Sequence, residues 1–207
     1  MDTSSDHDIS AHLAGRLRLL RLQRGLTLDA LAQRTGVSRS MLSLVERCES
    51  SPTAVVLDRL AAGLGITLAS LFADEGRREA SPLSRRADQR VWRDPGSGYL
   101  RRSLSAPACP SPISLVEVVL PAEARIAYDS GAAPRGISQQ VWMIDGSLDL
   151  TIGEITHRLS TGDCLTMRID EPIVFRNPGG SDARYLVALA PDYGGPDRSS
   201  SDPESHR

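Results

Sequence analysis

Residues 31–42 read "LAQRTGVSRSML", and their spacing decides how the chain begins to fold. Ala32, Gly36 and Leu42 stand in the pattern A-x3-G-x5-L. A small residue at the first position lets two helices cross closely. The glycine permits a left-handed turn between them, and the apolar residue locks the crossing angle. These are the steric requirements of a helix-turn-helix, in which the second helix is held out from the body of the domain.

Outward from this stretch, helical periodicity continues in both directions. Leu13, Leu17 and Leu20 repeat at helical spacing from about Ser10 to Arg24, where Gly25 stops the run. Thr27 is a natural N-cap for "LDALAQRT", with Leu28, Leu31 and Ala32 on one face. Ser38 caps "RSMLSLVER", which buries Leu42 and Val45. Pro52 and Thr53 open a fourth helix carrying Leu57, Leu60, Ala61 and Leu64 and ending at Gly65, and a short fifth, "TLASLF", closes the unit.

Leu17 to Phe72 resembles, without internal gaps, the phage-repressor-like helix-turn-helix family, often called the XRE family. The motifs "RGLTL", "GVS", "LSLVER" and "LAAGLGITLASLF" occur in family order. The family often has glycine after its third helix, where this chain has Cys48. The resemblance implies that the third helix enters a major groove and presents Ser38, Arg39, Ser40 and Ser43 to DNA. Arg39 suits a guanine edge, because a guanidinium pairs with it bidentately. Thr27, Arg47 and Ser51, with the serines, suit phosphate contacts. Two alternatives stand beside this: Arg39 as a solvated surface charge, and Ser38 as an N-cap alone.

Beyond Phe72 the pattern changes. "ADEGRREASPLSRRADQR" is polar, arginine-rich and without apolar periodicity, and reads as a linker. Short β-type runs follow: "ISLVEVVL", "QQVWMID", "SLDLTI", "ITHRLS", "CLTMRI", "PIVFRN" and "RYLVALA". Turn signals separate them, notably Asp145-Gly146, Gly162-Asp163 and Asn177-Pro178-Gly179. Many short strands at such spacing predict a sandwich or barrel. "VWMIDGSLDLTIGEITHRLSTGDCLTM" and "EPIVFRNPGG" resemble the cupin family in their turns. The expected fold is therefore α + β in two domains: an N-terminal all-α, five-helix helix-turn-helix domain and a C-terminal all-β cupin jelly roll (a double-stranded β-helix). The expected division is a DNA-binding domain at 9–73, a linker at 74–90, a sensor barrel at 91–190 and a disordered tail at 191–207.

Cupin metal sites use His-x-His, a Glu a few residues later and a His on the closing strand. Carried onto this chain, those positions fall near Ala133, Arg135 and Gln139, and on Ile173. None is a histidine or a carboxylate, so the expectation is no metal and no cofactor. The expected pocket is lined by Arg135, Gln139, Trp142 or its neighbours, and Met167. Arg135 suits a small anionic or polar effector. Glu117 alternates with Ile113, Leu115 and Val119, which leaves it either inward-facing or in a salt bridge.

Composition narrows the function further. All 24 basic residues are arginine. Residues 9–72 hold eight Arg against four acids and residues 77–102 eight against three, whereas residues 103–190 hold six against ten. A basic front on an acidic back points to a polyanion for the front half. No apolar run approaches the roughly 18 residues that cross a bilayer, and "MDTSSDHDIS" does not read as a signal peptide. Cys48, Cys109 and Cys164 form no CxxC pair, which argues against a zinc site or a disulfide framework. The expectation is a cytoplasmic, homodimeric transcription regulator that binds a pseudo-palindromic duplex operator and no membrane. Its rivals are a metal-independent cupin enzyme with an autoregulatory helix-turn-helix, and a protein-interaction module. No Ser-His-Asp, Cys-His or paired-carboxylate constellation supports the enzyme.

Overall fold

The computed structural model describes residues 3–72, 81–106, 109, 111–129 and 136–191, with side chains from Ile9 onward. Five helices come first: α1 (Thr3–Gln23), α2 (Leu28–Thr35), α3 (Arg39–Glu46), α4 (Ala54–Gly63) and α5 (Leu68–Leu71). Hydroxyl caps start four of them. Thr27, Ser38, Thr53 and Thr67 accept from the backbone N–H three residues on, at 3.1, 3.2, 3.4 and 3.2 Å. Each such cap contributes about 1 kcal/mol. The leucine repeat predicts a start for α1 at Ser10, but the helix runs back to Thr3. Backbone hydrogen bonding continues where the apolar stripe has ended.

Between α2 and α3 the turn is the one that residues 31–42 predict. Gly36 sits at φ 67° and donates to the Ala32 carbonyl at 2.9 Å. Leu31, Val37, Leu42 and Val45 are buried beneath it. The end of α3 is tied to α1 by a bidentate ion pair: Arg21 Nε and Nη2 donate to the two Glu46 carboxylate oxygens at 2.6 and 2.8 Å. Arg21 Nη1 also donates to the Leu26 carbonyl at 2.8 Å. One guanidinium thus fixes α1, the α1–α2 turn and α3 together.

The strands are β1 (Val91–Arg93), β2 (Leu100–Ser103), β3 (Ser114–Leu120), β4 (Arg125–Tyr128), β5 (Ile137–Asp145), β6 (Ser147–Ile152), β7 (Ile155–Ser160), β8 (Cys164–Arg168), β9 (Ile173–Arg176) and β10 (Ala183–Pro191). They form two antiparallel sheets, ordered β1-β2-β3-β10-β5-β8 and β4-β9-β6-β7. The last eight strands are thereby wound as a jelly roll, the double-stranded β-helix of a cupin. β1 and β2 widen one sheet at its edge. Gly146, at φ 81°, makes the β5–β6 corner, and a Cβ there would stand 3.0 Å from the Asp182 carbonyl oxygen. Asn177 closes the far corner: its Nδ2 lies 2.8–3.0 Å from the carbonyls of Leu120, Pro121 and Ser181, and its Oδ1 accepts from Gly179 N–H at 2.9 Å.

The two halves share one hydrophobic core, which runs from Leu13 and Leu57 through Phe72 and Trp92 to Val118 and Tyr185. α1 packs on β1 and α4 on β4. Phe72 at the end of α5 meets Trp92 of β1 with centroids 5.7 Å apart, and Trp92 meets Tyr99 edge-on at 6.1 Å. Asp94, after β1, accepts from the Ala54 backbone N–H at 3.1 Å, at the first turn of α4. Residues 74–80 of the expected linker, and residues 192–207 of the expected tail, lie outside the described residues.

Candidate functional site

The outer face of α3 is polar. Its buried residues, Leu42 and Val45, turn inward with Met41 and Leu44 half-buried beside them, which leaves Ser38, Arg39, Ser40 and Arg47 exposed and Ser43 half-buried. Ser38 Oγ caps the helix and lies 3.1 Å from Ser40 Oγ. Arg39 Nε is 3.2 Å from Asp29 Oδ1, both side chains being more than 60% exposed. Arg47 donates to Ser43 Oγ at 2.6 Å and forks onto Glu49 at 2.8 Å. Solvent screens exposed pairs of this kind and leaves them weak, so both guanidiniums are free to exchange a carboxylate for a phosphate or a base edge. Thr27 and Ser51 are exposed ahead of α2 and α4. The seven residues that the family resemblance implies for DNA thus share the α2–α4 part of the molecule.

A second site lies inside. A cavity of about 80 Å³ opens between the barrel and helices α4 and α5, well above what a single water occupies. Asp58, Ile66 and Ala69 close it from the helical side, and Arg101, Gln139 and Tyr185 from the barrel. Strand register explains the barrel wall. Trp92, Arg101, Val118, Tyr185 and Met143 form one row across β1, β2, β3, β10 and β5, all on the inner face. Tyr128 and Tyr185 also line the cavity, and burial pushes both hydroxyls well above their ordinary pKa, so they stay neutral donors. Burial raises the Asp58 carboxyl to about 7, with the charge of Asp129 adding and that of Arg59 opposing.

Of the residues expected to line a pocket, Gln139 is buried and does so. Trp142 does not. It stands three residues along β5 from Gln139, an odd offset that turns it to the outer face, where it is 49% exposed. Met167 is buried opposite Gln139 on β8 but lies one strand beyond the cavity wall. Ala133 and Arg135 lie outside the described residues. Gln139 and Ile173, the two inferred metal positions that are described, both face the cavity and present an amide and a hydrocarbon. Such a pair does not fit a first-row metal. Glu117 faces outward, not into the barrel, because Val116, Val118 and Leu120 take the inner face. There it meets Arg184 Nε at 2.6 Å, Arg102 at 3.2 Å and Arg86 at 3.8 Å. The sequence reading missed Asp58, Tyr99 and Arg101 as cavity residues.

A capped reading helix held out by a left-handed turn, joined to a two-sheet jelly roll with a cavity between the two halves, defines a helix-turn-helix regulator with a barrel domain. The helix-turn-helix family model (HTH_3) matches residues 17–71. The HTH-type transcriptional regulator SutR of Escherichia coli strain K12 is 30% identical over 172 residues, spanning 83% of this chain and 90% of that protein. The structure of an HTH_3 family transcriptional regulator from Vibrio cholerae is 27% identical and superposes with a TM-score of 0.70, over 89% of this chain and 98% of that one. The control protein C.MunI of Mycoplasma sp. is 32% identical over 69 residues, a third of this chain. The chain belongs to the HTH_3 family of helix-turn-helix transcriptional regulators.

Proposed function

We propose that this regulator binds duplex DNA as a homodimer at a pseudo-palindromic operator, and that its barrel is a non-catalytic, metal-free receptor for a small anionic or polar effector. The observation that carries the first part is the polar face of α3, from Arg39 through Ser40 and Ser43 to Arg47, over a buried Leu42 and Val45. One small helix-turn-helix reads few bases, so twofold symmetry is needed to lengthen the site, with half-sites about 10 base pairs apart. The effector part is supported by the cavity against α4 and α5, whose occupant would touch the DNA-reading half directly. DNA as partner makes the protein cytoplasmic.

Selection of bound duplexes from a random pool, followed by titration of the selected site, tests the reading. An inverted repeat is the expected outcome. Arg39→Ala is expected to cost about 1–3 kcal/mol at one base position and to leave the fold intact. An Arg39→Ala protein that binds the selected site as tightly as the parent, with the same base preferences, removes Arg39 from recognition.

A further inference from the structure

Arg101 is the residue in the cavity wall whose chemistry is unfinished. It is 5% exposed, and its Nε and Nη2 have no hydrogen-bond partner among the described residues. Leaving such donors buried and unsatisfied is costly, the more so on a charged group. Its guanidinium carbon sits 5.1 Å from the centre of the Phe72 ring. Three other buried charges are matched. Arg21 has Glu46, Glu117 has three arginines, and Asp149 has Arg158 and Arg176. Arg101 stands apart, and the strand register aims it inward between Trp92 and Val118.

The two free groups, Nε–H and the adjacent Nη2–H, make the side-on edge of a guanidinium, a fork whose spacing matches the two oxygens of a carboxylate. The rest of the wall sets the charge and the body of the guest. Among the described residues Arg101 is the one arginine lining the cavity, and the Asp58 carboxyl shares that wall, which disfavours a doubly charged anion. Ile66, Ala69, Ile173 and Phe175 offer hydrocarbon, while Tyr128 and Gln139 offer neutral hydrogen bonds.

Resting on the reading of the barrel as an effector receptor, we propose that Arg101 is its anion receptor, and that the effector is a small monocarboxylate with an apolar or aromatic body, held between the barrel and helix α5. Phe72 ends α5 and carries the guanidinium on its ring, so a carboxylate drawn to Arg101 acts on the joint between the halves. An effector that reset this contact would change the placement of α3 without passing through the linker.

The test uses the full-length protein with acetate, butyrate, benzoate and phenylacetate, each against its primary amide, by calorimetry and by thermal unfolding. At least one acid is expected to bind about tenfold to a hundredfold more tightly than its amide, as a charge-assisted bidentate pair implies. Arg101→Gln is expected to level acid and amide. The acid–amide comparison on the parent protein stands by itself if that variant folds poorly. An amide that binds as tightly as its acid overturns the assignment of Arg101 while leaving the barrel an effector receptor. Binding of neither class, in a protein that still holds its selected operator, overturns the effector reading together with the proposal.

Discussion

At Cys48 the chain adopts φ 60°, a conformation that a side chain resists. The residue follows α3, and its N–H donates to the Val45 carbonyl at 3.0 Å, so the turn has the form a glycine would give it. A β-carbon there costs about 1–2 kcal/mol. Cys48→Gly is therefore expected to raise stability by about 1 kcal/mol, net of the glycine's extra freedom in the unfolded chain. Denaturant unfolding checks it, and a lowered midpoint contradicts it. Asp58 gives a second residue-scale outcome. Its carboxyl titrates near 7 in the folded protein, against about 4 when unfolded. The folded state therefore binds the proton more tightly. The stability linked to this group is full below about pH 4 and is lost as pH rises through about 7. Asp58→Asn is expected to flatten the stability profile across that window and to make the protein more stable than the parent at pH 8. Midpoints of urea unfolding at successive pH values decide it, and an unchanged slope refutes it.

The helices were legible in the sequence because each carries a local mark: hydroxyl caps at Thr27, Ser38, Thr53 and Thr67, and leucines at helical spacing. Seven strands were legible for the same reason. Three were not. β1 "VWR", β2 "LRRS" and β4 "RIAY" are short and rich in arginine, and their alternation is masked by charge. Arg101 was invisible on the same grounds. Its burial depends on Phe72, nearly thirty residues away, and on register with Trp92 and Val118, neither of which leaves a local trace. Trp142 shows the opposite failure, since an aromatic in a strand signals burial while its parity on β5 faces outward. Among the elements, α3 depends most on one contact, the Arg21–Glu46 pair with both side chains close to 10% exposed. Glu46→Ala leaves the Arg21 guanidinium buried and unpaired, and is expected to cost about 3–5 kcal/mol. Operator affinity should fall as well, because the end of α3 loses its tether to α1. Unfolding and anisotropy titration measured on one preparation check both, and a loss under 1 kcal/mol contradicts the assignment.

For the molecule as a whole, the outer face of the larger sheet bears on assembly. Leu115 and Trp142, 39% and 49% exposed, flank Ala188 and Leu186 on β10. A second copy of the chain would cover this apolar strip and supply the twofold symmetry that an inverted repeat requires. Trp142→Glu is expected to shift the protein to a monomer in sedimentation and to weaken operator binding in parallel. A dimer that persists with unchanged affinity puts the interface elsewhere. The continuous core through Phe72, Trp92 and Tyr99 carries a different consequence, for how such proteins are recombined. The reading head is not a cassette. Cut after Phe72 and spliced to a foreign barrel, it would present a bare aromatic ring and an α4 N-terminus stripped of Asp94, and the donor barrel would be left with Trp92 in water. Exchanges that keep residues 91–101 with the helical part, whatever follows them, are the ones that should yield folded hybrids.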